Sequence, residues 1–345
     1  MKVDFTDILY DINNPDDVGI LGADADDGAN PDELSTPVGP NREIVLQVIK
    51  ELTDMGGVKS GSRVKLAGRW FRHTKITSEI SEYVKLRQIH DYVPTLDDLQ
   101  VNPVLHGFLT KMGLEPGLYL FSGPMGSGKT TLASAVFGSW LETFGGIGTT
   151  IEEPPEYPLE RAWKNGAGRC IQVPVEDEDW ETPFKNVLRT SSRYLLIGEI
   201  RSPLASMLAI KAASKGAAVV ATVHAQNVED TITSMTGYCR QDGGRPSDLA
   251  AVLKGIFRVS LRSNAAGGKR TNINPLFGTD SFYSAMFHNT SVKITAELNN
   301  LRQAIENENN KNISEISRLQ MNFLQLYAQQ YAAKHAIAQP AKHLA

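Results

Sequence analysis

The 345-residue sequence predicts an α/β protein. Short apolar runs alternate with amphipathic helical stretches through its middle, which is how strands of a parallel sheet and their crossover helices read in sequence. A glycine-rich loop separates one such run from the helix that follows it. At roughly 150 residues per domain the chain has room for about two domains.

In chain order, Met1–Pro40 holds ten Asp and Glu against one Lys, with turn-forming Asn-Asn-Pro and Gly-Pro breaks and few apolar residues. Such a segment predicts an acidic, mostly disordered tail over residues 1–40. From Asn41 to Thr95 the balance reverses to ten Lys and Arg against six Asp and Glu. Glu43–Met55 predicts a helix with Ile44, Val48 and Leu52 on one face. Arg63-Val-Lys-Leu and the stretch Tyr83–Ile89 alternate polar and apolar residues as half-buried strands do. A small α+β domain over 41–95 follows, and Pro94 with Asp97-Asp98 suits a linker.

The α/β domain is expected over 96–290. Strands are predicted at Leu118–Ser122, Thr149–Ile151, Cys170–Val175, Tyr194–Gly198 and Ala218–Thr222. Helices are predicted at Thr130–Phe144, Pro203–Ala213, Glu229–Tyr238 and Ser247–Gly255. In 291–345 the spacing of Ile294, Leu298, Leu301 and Ile305, then of Ile316, Leu319, Phe323 and Leu326, predicts two C-terminal amphipathic helices.

Composition excludes several function classes. With 35 Lys and Arg against 39 Asp and Glu the net charge is −4, which offers no basis for coating nucleic acid or anionic lipid. Cys170 and Cys239 stand far apart with no metal-ligand spacing, which excludes a disulfide framework and a zinc ribbon and fits a reducing, cytoplasmic setting. The apolar runs are too short to span a bilayer, so any membrane association is expected through a partner.

Four segments carry chemistry. Gly123-Pro-Met-Gly126-Ser127-Gly128-Lys129-Thr130 fits G-x-x-x-x-G-K-[ST] between a predicted strand and a helix. In that setting Gly123, Gly126 and Gly128 let backbone N–H groups turn onto phosphate oxygens, with Ser127 and Thr131 in the same cradle. Lys129 reaches the β and γ phosphates and Thr130 holds Mg²⁺. Tyr194–Gly198 runs into Glu199-Ile-Arg201, a carboxylate at the carboxyl end of a buried strand. Thr149–Ile151 runs into Glu152, Glu153 and Glu156, whose clustered charge suits a cation. Ala218–Thr222 runs into His224, a candidate sensor of the γ-phosphate.

In this order and spacing the four segments resemble the secretion ATPase superfamily: the motors of type II secretion, type IV pili, and type IV secretion or conjugation. The likeness covers about Pro94 to Phe277 and identifies Gly123–Thr130 as the phosphate loop, Ile151–Tyr157 as an aspartate box, Gly198–Ser202 as Walker B and Thr222–Ala225 as a histidine box. Three positions depart from the pattern. Glu153 and Ser202 stand where Asp is usual, and Ala217 stands where retraction motors often carry a histidine.

The resemblance implies a RecA-like P-loop ATPase core with ATP and Mg²⁺ as cofactors. It implies Glu199 as the catalytic glutamate, Glu156 as the carboxylate that orders Mg²⁺ or water, and His224 as the histidine-box residue. Family members also bring arginines from the N-terminal domain to the nucleotide. Arg87 is the candidate here, with Arg63 and Arg72 behind it. The expected protein is a homohexameric cytoplasmic ATPase, peripheral at the inner membrane through a platform or secretion and conjugation proteins, with no direct nucleic-acid partner. A RecA-type DNA motor and a non-hydrolysing nucleotide switch are the alternative readings.

Overall fold

The computed structural model describes residues 5–22, 33–175, 179–263 and 269–277. The described residues fall into two units. One lies within Met1–Tyr92 and includes Glu153–Pro158; the other lies within Val93–Glu152 and Leu159–Ala345. The expected C-terminal helices over 291–345 lie outside the described residues.

The first unit is an antiparallel sheet of β1 (Asp7–Asp11), β2 (Asn14–Leu21), β3 (Arg63–Leu66), β4 (Arg69–Thr77) and β5 (Glu82–Gln88), in the order β2-β1-β5-β4-β3, with one helix, α1 (Gly39–Asp54). Pro40 starts α1, where its missing N–H costs nothing. The helix buries Val45, Val48, Ile49 and Leu52 in one core with Ile8, Phe71 and Leu86 of the sheet. Ile44, expected inward, is only half-buried.

Residues 7–21 correct the reading of 1–40 as a disordered tail. Ile8, Tyr10 and Ile20 are buried, so β1 and β2 supply core residues despite the surrounding charge. Asp7 shows why the charge misled. It is 3 % exposed and sits directly across from Arg87, so one acidic residue of the supposed tail balances basic residues of β5. Burial alone would raise its pKa, but the hydrogen bonds from Thr6 and Arg87 and the charges of Arg87 and Lys85 outweigh it and hold the carboxyl below its usual range.

The second unit is an eight-stranded sheet. Its strands are β6 (Gly117–Gly123), β7 (Gly146–Glu152), β8 (Ala162–Trp163), β9 (Gly168–Pro174), β10 (Tyr194–Ile200), β11 (Ala218–His224), β12 (Leu253–Ser263) and β13 (Lys269–Phe277). The order is β13-β12-β6-β11-β10-β7-β9-β8; the six inner strands run parallel and the edge strands β13 and β8 antiparallel. The helices are α2 (Pro103–Lys111), α3 (Lys129–Phe144), α4 (Glu181–Arg189), α5 (Pro203–Ser214), α6 (Val228–Gln241) and α7 (Pro246–Val252). The helix expected to reach Gly255 stops at Val252, and Leu253–Gly255 open β12, because the apolar run is a buried strand at that point.

Every residue of β6 is buried, and its alternation divides the core. Leu118 and Leu120 join Ala205 and Leu208 of α5, Ile232 of α6 and Leu249 of α7. Tyr119 and Phe121 face the aromatic side, where Tyr119 meets Trp140 of α3 edge-on at 5.9 Å and Phe121 stacks on Phe257 of β12 at 5.1 Å. The Trp140 Nε1–H donates to the Leu109 carbonyl at 2.7 Å, so the indole is buried without a stranded donor. Among the described residues no helix is long and apolar enough to cross a membrane.

Two outcomes test these packing claims. Phe121→Ala is expected to cost about 3–5 kcal/mol of stability, read from denaturant unfolding; a cost below about 1 kcal/mol would contradict the central place given to β6. Asp7, with a lowered folded pKa, contributes stability that is present above its unfolded pKa and is lost as pH falls through the folded value. The melting-temperature gap between wild type and Asp7→Asn should therefore shrink as pH drops below the ordinary aspartate value of 3.8. A constant gap would contradict it.

Candidate functional site

Parallel strands end at one edge of their sheet, and β6, β11, β10 and β7, neighbours in that order, end in Gly123, His224, Glu199-Ile200 and Glu152. The register sets His224 directly beside Gly123. Glu199 lies two strand spacings from the glycine loop, a lateral distance of about 10 Å. That gap fits a terminal phosphate and an attacking water.

The loop from Gly123 to α3 is shaped by its glycines. Gly123 has φ +155°, and a Cβ there would meet the Val259 carbonyl oxygen at 2.5 Å. Gly128, at φ +85°, caps α3 in the left-handed region, where a side chain is strained. No side chain caps the helix and its first turn holds no acidic residue, so its leading N–H groups and positive dipole end suit an anion. Ser127 Oγ is buried with no hydrogen-bond partner among the described residues. Lys129, 6 % exposed, arches back to donate from Nζ to the Pro124 carbonyl at 2.8 Å. Thr130 and Thr131 follow in the first turn, Thr130 half-buried.

Glu199 has a basic neighbour at each carboxylate oxygen. Arg201 Nη2 donates to Oε2 at 2.5 Å, and His224 Nε2 lies 3.1 Å from Oε1, within ion-pair range when the imidazole is protonated. The sequence reading gave Glu199 and His224 separate tasks; the structure brings them into contact. Gly198 explains the small residue before Glu199, since a Cβ there would sit 3.1–3.3 Å from Glu152 of the neighbouring strand. Ser202, one of the departures, accepts from the Ala205 N–H at 3.2 Å and caps α5, with Pro203 at the first helical position.

Some residues at this edge were missed. Glu152 is 1 % exposed, and its Oε1 accepts from Gln172 Nε2 of β9 at 3.1 Å. The sequence shows Glu152 only as one of three clustered carboxylates, and nothing marks Gln172. Arg258 of β12 donates from Nε to the Gln226 carbonyl at 2.6 Å and so fixes the loop after His224. Its one signal is a cation set between the apolar Phe257 and Val259 of a strand.

Glu156 and Arg87 belong to the first unit. Glu156 is exposed between buried Pro155 and buried Tyr157, whose ring stacks on His90 at 4.9 Å and 3°. Arg87 extends from β5 with its side chain 62 % exposed and its Nε on Asp7 at 3.0 Å. Arg63 and Arg72 stand on the adjoining strands of the same sheet, Arg63 over the Trp70 ring at 4.7 Å.

The sheet order, the glycine loop and the carboxylate held beside it define a RecA-like P-loop core. Residues 61–342 match the family model described as Type II/IV secretion system protein, and the chain belongs to that family. It is 31% identical over 202 residues to the type IV pilus ATPase PilU of Pseudomonas aeruginosa, which covers 56% of this chain and 50% of that one. It is 31% identical over 148 residues to the competence protein ComGA of Streptococcus pneumoniae, covering 43% and 44%. The chain thus spans about half the length, or less, of these curated relatives. Among solved structures the fold is similar to the pilus retraction motor PilT with bound ADP (TM-score 0.61, 19% identity, 85% of each chain). It is also similar to the Legionella pneumophila ATPase DotB (TM-score 0.59, 16% identity, 88% of this chain and 84% of that one).

Gly198→Ala tests the close approach at this edge. Forcing a methyl against Glu152 is expected to cost about 1–3 kcal/mol, seen as a lowered melting temperature. An unchanged melting temperature would show that β7 and β10 have slack there.

Proposed function

We propose that the chain hydrolyses ATP and couples the hydrolysis to a type IV secretion, conjugation or type IV pilus machine. The observation that carries this is Glu199, flanked by Arg201 and His224 two strands from an anion-ready glycine loop. The relatives named as ATPases of pili support it, and so does family membership.

In this reading the loop amides from Gly123 to Thr131, with Ser127 Oγ, bind the phosphate oxygens. Lys129 leaves the Pro124 carbonyl for the β and γ phosphates, a trade of one acceptor for a charged one that favours bound nucleotide. Glu199 orients the attacking water and accepts its proton. His224, in contact with both Glu199 and the loop strand, senses the terminal phosphate. Thr130 offers an oxygen donor of the kind Mg²⁺ takes, and the cation would neutralise charge on the phosphates. Arg87 serves a nucleotide held by a neighbouring copy, in a ring of six subunits. The protein would then work in the cytoplasm, recruited to the inner membrane by a platform or apparatus protein.

Lys129→Ala is expected to lose nucleotide affinity, measured by titration with a fluorescent ATP analogue. Glu199→Gln should keep that affinity while steady-state hydrolysis falls by about 100-fold or more. Wild-type turnover in Glu199→Gln would contradict the assignment. Light scattering with ATP and Mg²⁺ should report six subunits; a monomer under those conditions would remove the role given to Arg87.

A further inference from the structure

The face of the N-terminal sheet turned away from α1 carries three arginines in one cross-strand line. Arg63 is paired with Arg72 and Arg72 with Arg87. Like charges directly opposite one another destabilise a sheet and push flexible side chains apart. The line ends on β1 at Asp7, paired with Arg87 from the other side.

Asp7 is built as an anchor. Its side chain is 5 % exposed, Oδ2 accepts from Thr6 Oγ1 at 2.8 Å, and Oδ1 lies 3.0 Å from Arg87 Nε and 3.2 Å from Lys85 Nζ. A solvated aspartate would swing with the arginine it met; this one cannot. The contact is made through Nε, the inner nitrogen, while the Arg87 side chain as a whole is 62 % exposed. The terminal amino groups are therefore left at the outer end of a guanidinium whose direction is set. A free arginine side chain samples many rotamers, and Asp7 removes part of that freedom before any ligand arrives.

We infer that Asp7 is a positioning residue for Arg87, holding the guanidinium by Nε so that its terminal amino groups are presented to a phosphate group bound by another copy of this chain. The inference rests on the ATPase reading above. It gives the acidic N-terminal hairpin a task in the reaction, beyond adding two strands to a sheet. If Asp7 only cemented β1 to β5, its removal would lower stability and leave turnover indifferent to the state of Arg87.

The test is a double-mutant cycle on the full chain, with kcat, KM for ATP and melting temperature measured for wild type, Asp7→Asn, Arg87→Ala and the double variant. Asp7→Asn should lower kcat roughly ten-fold with KM changed less than about two-fold, and it should add nothing to Arg87→Ala. An equal effect of Asp7→Asn in both backgrounds, or no effect on kcat in the first, overturns the inference. Should Asp7→Asn fold poorly, Arg87→Lys leaves Asp7 in place and keeps the charge while removing the planar fork, and it should reproduce the kcat loss. Full activity in Arg87→Lys overturns the inference as well. Lys129→Ala, run alongside, separates the two levels: hydrolysis unaffected by that change overturns the ATPase reading and this inference with it. Loss of hydrolysis in Lys129→Ala with additive Asp7 and Arg87 effects overturns the positioning claim alone.

Discussion

Parallel pairing of β6, β11, β10 and β7 is the constraint on which the candidate site depends, because it delivers four strand ends to one edge in a fixed order. A buried parallel strand has both faces packed and cannot slide by one residue without exchanging them. In β6 such a slip would exchange Leu118 and Leu120 with Tyr119 and Phe121, breaking the pairs with Trp140 and Phe257. The same register that satisfies the core places His224 against Gly123 and leaves Glu199 one strand further on. Site geometry here follows from core packing, with glycines at 123 and 198 admitting the close approaches that packing demands.

Charge is handled differently in the two units. In the second, Arg201 donates to Glu199 with His224 beside its other oxygen, and Gln172 donates to Glu152, so each carboxylate at the sheet edge is oriented by one hydrogen bond. In the first, a basic sheet face receives one buried carboxylate, Asp7, at the end of an arginine line. Burying a charge is tolerable where it is paired and hydrogen-bonded, and Asp7 meets both conditions through Thr6, Lys85 and Arg87.

The parallel core was legible in the sequence because both signals there are local. Apolar runs such as Leu118–Ser122 and Tyr194–Gly198 mark buried strands, and the residues that end them mark the site. Strands whose evidence is non-local were hidden. β1 and β2 carry the inward residues Ile8, Tyr10 and Ile20, but the ten acidic residues of 1–40 outweigh them until Arg87 and Lys85 are seen across the sheet. β4 carries no strand expectation, and its deepest inward side chains, Phe71 and His73, stand among Arg69, Arg72 and Lys75. The end of α7 was misplaced since an apolar run such as Leu249–Ile256 fits helix and buried strand equally until its neighbours are known. At the candidate site, the strand-end positions of Glu199 and His224 are readable from the sequence, while Gln172 and Arg258 act through partners that only folding supplies.

A crystal structure of the full chain with Mg²⁺ and a non-hydrolysable ATP analogue tests the account most directly. The account predicts a terminal phosphate at the carboxyl edge of β6, with Lys129 Nζ transferred from the Pro124 carbonyl to phosphate oxygen and the Glu199 carboxylate facing a water in line with the γ-phosphorus. Nucleotide bound elsewhere, or bound with Lys129 still on Pro124, would contradict it.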